Sequence, residues 1–594
     1  MKISFAICLS FVNNRISESF HYLPIGGLRV TTFEKYEYER PVIKDLKSGF
    51  DELLQAFRLA ESFEKQNEII DKINRIGSDF STQANLAYIR ASIDTNDEFY
   101  QNERDYFDEI EPEYQELETA YYKELISTPF RAELEEKWGP QLFAIADNAV
   151  KSFSPEIVPL LQQENKLSSD YSKLVASAQI EFDGKTLTLA QMGPYSESID
   201  RNVRKSAMEA TYKFYSDNGK KFDDIYDELV KLRHEIATTL GFKNFVELGY
   251  VRMNRIDYNA SMVKNFRDQV RDQIVPLANR LYERQAERIG VDKLKFYDES
   301  LDFLTGNATP QGSPDWIIEN GKKMYAELSP ETNEFFTFMT EKNLLDVEAK
   351  KGKESGGYCT FIDNYDSPFI FSNFNGTSGD IDVLTHEAGH AFQVYCSRNI
   401  GVPDYMFPTH EGAEIHSMSM EFFTWPWMEL FFKEQTEKYK FAHLSSALLF
   451  LPYGVAVDEF QHVVYENPEM TPDERKAAWK KIEAIYLPTR DYDGHSYLDA
   501  GSLWQRQSHI YGDPFYYIDY TLAQICAFQF WKRSLENYED AWKDYLYLCT
   551  LGGSKSFTKL VAEANLISPF EDGCVESVIG TIESWLDSVD DKLL

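Results

Sequence analysis

Two histidines four residues apart on a helix constrain this chain more than any other feature. They lie in His386-Glu387-Ala388-Gly389-His390, an H-E-x-x-H pattern. On an α-helix, positions i and i+4 stack on one face, so His386 and His390 aim two imidazoles at one point. Glu387 lies beside that point. Two imidazoles and a neighbouring carboxylate supply what a zinc-water hydrolase needs, two metal ligands and a general base.

The flanking residues read as a helix. Ser378 is the N-cap candidate, and Asp380 and Asp382 suit the positive end of a helix dipole. Val383, Leu384, Ala388, Ala391, Phe392 and Tyr395 supply an apolar surface, and Ser397, Asn399 and Gly401 supply stop signals. Gly389 inside the helix costs up to about 1 kcal/mol relative to alanine. That cost points to a close neighbour, such as a strand.

A third ligand sets the subclass. The H-x-x-G-x-x-H continuation is absent, because Gln393 and Cys396 occupy its positions. The segment Thr409 to Phe423 reads instead as a second helix, with Glu411, Glu414, Met418 and Glu421 on one face. A carboxylate from that face completes a His-His-Glu site and leaves a fourth position for water. Ile415, Met420, Phe422 and Phe423 make the segment apolar almost all round, so these glutamates are not simply a solvated face.

Three stretches carry a resemblance: GGYCTFIDNYDSPFIFSNFNGTSGDIDVLTHEAGHAFQ, GAEIHSMSMEFF and RQSHIYGDPFYYIDYTLAQ. Together they resemble the M3 family of zinc metallopeptidases, of the oligoendopeptidase F type (M3B branch), and the similarity of pattern runs from about Thr32 to the C-terminus. The resemblance implies Glu414, not Glu411, as the third ligand of one Zn2+ per chain. It implies a predominantly α-helical zincin-like fold with a small β-sheet beside the metal helix and a deep channel for short, unfolded oligopeptides. It further implies that a histidine and tyrosines from the last stretch bind the tetrahedral intermediate. His509 is the expected histidine, and Tyr516, Tyr517 and Tyr520 form a set from which one or two act. Glu421 or Asp382 is expected to orient the ligand histidines. Of the other histidines in this region, His410, His416, His443, His462 and His495, the better candidates for the site are His416 and His495.

Strand chemistry precedes the metal helix. Tyr358, Thr360 and Ile362, then Phe369, Ile370 and Phe371, are β-formers bounded by Gly356-Gly357 and by Asp366-Ser367-Pro368. A peptide can add itself to an exposed edge of such a sheet. Alternation around Asp183-Gly184 predicts a hairpin over 178–189. Residues 41–177 and 198–348 read as helices.

Composition removes other classes. The net charge of −36 argues against nucleic acid and anionic membranes. No uninterrupted apolar run is long enough to span a bilayer. Six cysteines, Cys8, Cys359, Cys396, Cys526, Cys549 and Cys574, are scattered without metal-binding spacing, which fits a reducing, cytoplasmic setting. Residues 1–29 are expected to be a poorly ordered leader outside the native protein: Gly26-Gly27 fits translation of a GGAGGU ribosome-binding sequence, with Val30 as a GUG start just downstream. Residues 30–200 are then an N-terminal helical region and 201–594 the catalytic region. The expected activity is that of a zinc metalloendopeptidase. A zinc carboxypeptidase of similar fold and a non-hydrolytic peptide-binding protein are the alternatives, and the oligomeric state is open.

Overall fold

The computed structural model describes residues 31–594, and the leader expected at 1–29 lies outside the described residues. Helices dominate. The N-terminal part is built from α1 (Ile43–Leu59), α2 (Phe63–Ile93), α3 (Glu98–Ser127) and α4 (Pro140–Lys151). They share a core of their own around Phe50, Phe57, Ile70, Phe80, Tyr114 and Leu125. Tyr114 of acidic α3 is a packing residue, stacked on Phe80 with centroids 3.9 Å apart, whereas Tyr122 lines a cavity.

Helix α5 (Val158–Ala176) belongs to the second, larger core. After it, β1 (Ile180–Phe182) and β2 (Lys185–Leu187) pair antiparallel. Asp183 and Gly184 between them both have positive φ, +51° and +71°, as a two-residue hairpin turn of this twist requires. Helices α6 (Arg201–Thr239) and α7 (Phe245–Arg252) continue the main core.

The three-stranded sheet has the order β3-β5-β4, with β3 (Leu345–Glu348) parallel and β4 (Tyr358–Ile362) antiparallel to β5 (Ser367–Phe374). β3 falls in a stretch read from sequence as helical. At four residues it is too short to show periodicity, and it forms because the buried β5 offers it a ladder. Among the described residues β5 is the one strand that pairs with β4, and on the other edge the Asn85 amide occupies the Phe361 carbonyl at 2.9 Å, which leaves Tyr358 to Thr360 without a strand partner there.

Behind the sheet lie α8 (Gly379–Ser397) and α9 (His410–Phe423). Helix α10 (Thr436–Glu466), α11 (Tyr517–Glu536) and α12 (Tyr538–Leu551) close the core around them. The segment Glu429–Glu466, which contains α10, is long and apolar enough on average to cross a membrane, although polar residues interrupt it. Its most apolar window is 72% buried inside the protein, so it is the central core helix.

Candidate active site

Helices α8 and α9 cross in direct backbone contact, and the crossing point is Gly389. A Cβ there would lie 2.6 Å from the Ser417 Cα and 2.7 Å from the His416 carbonyl oxygen. The close neighbour expected from the glycine is therefore a helix, not a strand. The start of α8 also differs from expectation, because the Ser378 side chain makes no cap bond. The Asp380 carboxylate instead reaches back from the first turn and fixes the preceding loop, accepting the backbone N–H groups of Asn375 and Gly376, both at 2.8 Å.

The close crossing brings three donor atoms together. His386 Nε2 lies 3.1 Å and His390 Nε2 3.4 Å from Glu414 Oε2. All three ligand atoms lie within 4.8 Å of one another. Ligands about 2.1 Å from a tetrahedral zinc ion stand about 3.4 Å apart, so a nitrogen-nitrogen-oxygen triangle of this size fits such an ion. Burial works against charge on Glu414, but the two imidazoles outweigh it and hold the carboxyl well below its ordinary range. Glu411, the other candidate, points away: it is buried, and burial raises its carboxyl while the Arg255 guanidinium opposes the shift.

Two of the three ligands, His386 and Glu414, are held from behind. Glu421 accepts from His386 Nδ1 at 2.7 Å, and its other oxygen lies 2.9 Å from His443 Nε2. The Trp425 indole N–H donates to His443 Nδ1 at 3.2 Å, which leaves the His443 proton on Nε2, facing Glu421. Asp382 touches neither ligand histidine by a hydrogen bond; it accepts the Tyr439 hydroxyl at 2.6 Å, and that ring stacks on His443. Glu414 Oε2 accepts the Ser417 hydroxyl at 2.8 Å, and Oε1 accepts the Tyr516 hydroxyl. Partners of this kind typically contribute 10–100-fold in metal affinity. Glu421→Ala is therefore expected to weaken zinc binding by about that factor, read by competition with a chromophoric chelator, while Glu421→Gln retains part of it.

Glu387 faces the cavity beside the donor triangle. It is 6% exposed, and its Oε2 is buried without a hydrogen-bond partner. Burial raises its carboxyl, partly offset by the two histidines. Glu411, Asp458 and Asp519 also hold buried oxygens without a partner, so what sets Glu387 apart is its place in the cavity wall beside the donor triangle.

The opposite wall comes from the segment before α11. Phe515 has φ +70°, a conformation rare for a bulky residue. It is fixed by Gln461, which accepts its N–H at 2.8 Å, and by Arg255, which donates to its carbonyl at 2.6 Å. This strained corner turns Tyr516 toward Glu414. Behind it runs a relay with one direction. The Tyr453 hydroxyl donates to Gln507 Oε1 at 3.2 Å, and the Gln507 amide donates to His509 Nδ1 at 2.8 Å. His509 Nε2–H then donates to the Tyr520 oxygen at 3.0 Å, which leaves the Tyr520 hydroxyl proton free for the cavity. Burial lowers the His509 imidazole, which favours this neutral form. Tyr516 and Tyr520 line the cavity, whereas Tyr517 packs its ring against Phe450 and Tyr453.

The remaining histidines divide in a way the sequence did not signal. His416 is buried with Nδ1 on the Gly412 carbonyl at 2.8 Å, and burial pushes it down to about 4. The His495 ring packs between Tyr212 and Phe296. Neither reaches the donor triangle. His410 lines the cavity beside Tyr516, with rings 4.3 Å apart, and His462 bonds Tyr250.

The cavity itself has a volume of about 1460 Å³ and runs from the donor triangle to the N-terminal helices, where Tyr88, Arg104, Asp108 and Glu111 line it. Tyr358, Cys359 and Thr360 of β4 form part of its wall.

Comparison with known proteins agrees with this architecture. Residues 33–153 match the Peptidase M3 N-terminal domain, and residues 195–306 and 323–578 match Peptidase family M3. The chain is 24% identical to an oligoendopeptidase F homolog of Borreliella burgdorferi over 421 residues, covering 67% of this chain and 69% of that one. It is 21% identical to the oligopeptidase PepF of Bacillus subtilis over 587 residues, covering 91% and 82%. Among solved structures, PZ peptidase A with an inhibitor superposes with a TM-score of 0.94 at 65% identity, covering 94% of this chain and all of that one. The oligoendopeptidase-F of Enterococcus faecium shares the fold, with a TM-score of 0.60 at 17% identity, covering 93% and 99%. With its helical fold, its His-His-Glu cluster and matches over most of its length, the chain belongs to peptidase family M3 and is a peptidase of the oligoendopeptidase F kind.

Proposed function

We propose that the protein is a zinc-dependent endopeptidase that hydrolyses short, unfolded oligopeptides inside the cavity. The observation that carries this reading is the convergence of His386, His390 and Glu414 beside a buried, unpartnered Glu387 oxygen. A zinc ion held by those three residues would supply a water of lowered pKa and polarise the scissile carbonyl.

The protein's own groups do the rest. Glu387 takes a proton from the attacking water and returns it to the leaving amine. The Tyr520 hydroxyl, its oxygen occupied by His509, donates to the oxyanion. Tyr516 anchors Glu414 and stands beside Tyr520, with rings 4.9 Å apart. The unpaired edge of β4 at Tyr358 to Thr360 lies in the cavity wall and offers the substrate backbone a strand to pair with. A cavity of about 1460 Å³ has room for an extended peptide and not for a folded protein. A cytoplasmic location, where its scattered cysteines stay reduced, suits a peptidase of this kind.

The test is metal removal. An internally quenched oligopeptide is expected to be cut by the zinc-loaded protein, to remain intact after chelation, and to be cut again after one equivalent of Zn2+ per chain. Full turnover by metal-depleted protein would overturn the reading.

A further inference from the structure

Three guanidinium groups line the cavity, and no lysine is among its described lining residues. Two of the three have a carboxylate partner, although the Glu164 beside Arg252 is shared with Arg233. Arg104 pairs with Glu354 at 2.9 Å, and Arg252 pairs with Glu164 at 2.9 Å. Arg506 differs. Among the described residues it forms no ion pair, although the chain holds 97 acidic residues. Its guanidinium donates to the Tyr212 hydroxyl at 3.0 Å and lies 5.5 Å from the centre of the Tyr453 ring. Tyr171 and Tyr215 line the cavity with it. A cation that cannot lose its proton is thus held on an aromatic wall with its charge left open to the cavity.

The position relates to the catalytic wall. Arg506 precedes Gln507, whose amide supports His509. The Tyr453 ring beneath the guanidinium is 5.8 Å from Tyr517, and Tyr517 is 5.1 Å from His509. The distance is a few residues of extended peptide. An anion reaching Arg506 would therefore belong to a molecule that also reaches the reacting centre.

We infer that Arg506 receives the free C-terminal carboxylate of the oligopeptide, an inference that rests on the peptidase function proposed above. A carboxylate matches the planar fork of a guanidinium in two parallel hydrogen bonds. The terminal carboxylate is also the one anion that every peptide carries whatever its sequence. Acidic side chains, by contrast, must enter a cavity already lined by Asp108, Glu111, Asp404 and Asp513. Arg506 is a specificity residue in this role: it selects peptides by where they end and makes the cavity a ruler for short substrates.

The test uses two internally quenched peptides that differ only in a free or an amidated C-terminus. Zinc-loaded wild-type protein is expected to cleave the acid with kcat/KM about 10- to 100-fold higher, mainly through KM. Arg506→Gln brings that ratio to about one, and Arg506→Lys keeps part of it because the charge remains without the fork. Binding of the two uncut peptides to zinc-loaded Glu387→Gln protein is measured in parallel by fluorescence anisotropy and needs no turnover. A Kd ratio of about 10 or more supports the inference. Equal Kd values, equal cleavage by wild type, or an undiminished ratio in Arg506→Gln would overturn it. Cleavage of neither peptide by wild type would instead count against the peptidase function, and the Kd ratio would still decide the role of Arg506.

Discussion

Zinc-loaded Glu387→Gln protein is expected to cleave oligopeptides about 10²- to 10⁴-fold more slowly than wild type while keeping its metal. The substitution changes one chemical property. Gln has the shape of Glu, so it fits the same 6% exposed site beneath Gly357, where the Glu387 Oε1 lies 3.2 Å from a Cβ built on that glycine. The loss falls on the carboxylate itself, which has no hydrogen-bond partner among the described residues. An amide cannot accept and return a proton at neutral pH, so water attack and amine departure both lose their shuttle. The donor atoms of the triangle belong to His386, His390 and Glu414, and none is altered. Metal content by mass spectrometry and single-turnover cleavage of a quenched peptide separate the two effects. Retained turnover would remove Glu387 from the base role. Loss of zinc would show that its carboxylate helps hold the metal.

Sequence legibility follows the range of each interaction. The two imidazoles are one turn apart on a single helix, so their convergence is visible in the spacing alone. The hairpin at Asp183-Gly184 is equally local. Glu421 stood out because it shares a face with Glu414, and it meets His386. What that carboxylate meets on its other side, His443, comes from α10 and has no spacing signal. The same holds for the Tyr453–Gln507–His509–Tyr520 relay, which joins three separate segments. Sequence grouped Tyr516, Tyr517 and Tyr520 as equals. The strained Phe515 corner separates them by setting which rings face the cavity. Arg506 was silent for a further reason: an unpaired charge is defined by every residue that fails to approach it, which only the assembled fold reveals.

Gly389 tests whether the helix crossing controls the metal site, because alanine there should act in opposite ways locally and globally. Within an isolated helix the change to alanine gains about 1 kcal/mol. Here the added Cβ meets backbone, the Ser417 Cα at 2.6 Å and the His416 oxygen at 2.7 Å, and backbone has no rotamer to move aside. The helices must separate, at a cost of about 1–3 kcal/mol that outweighs the propensity gain. The crossing lies in the middle of the site: His390 follows Gly389 directly, His386 precedes it by three positions, and Glu414 precedes Ser417 by three. Separation therefore widens the His-His-Glu triangle, so Gly389→Ala is expected to lower both the unfolding midpoint and the zinc affinity. Gly580 supplies the control. It sits inside the helix Glu576–Ser588 with nothing within 4 Å of a built Cβ. Gly580→Ala should raise stability by about 0.5–1 kcal/mol and leave zinc binding unchanged. Thermal unfolding and zinc titration of the two variants side by side decide the matter. If both alanines stabilise, the close contact of the two helices is not what sets the donor triangle.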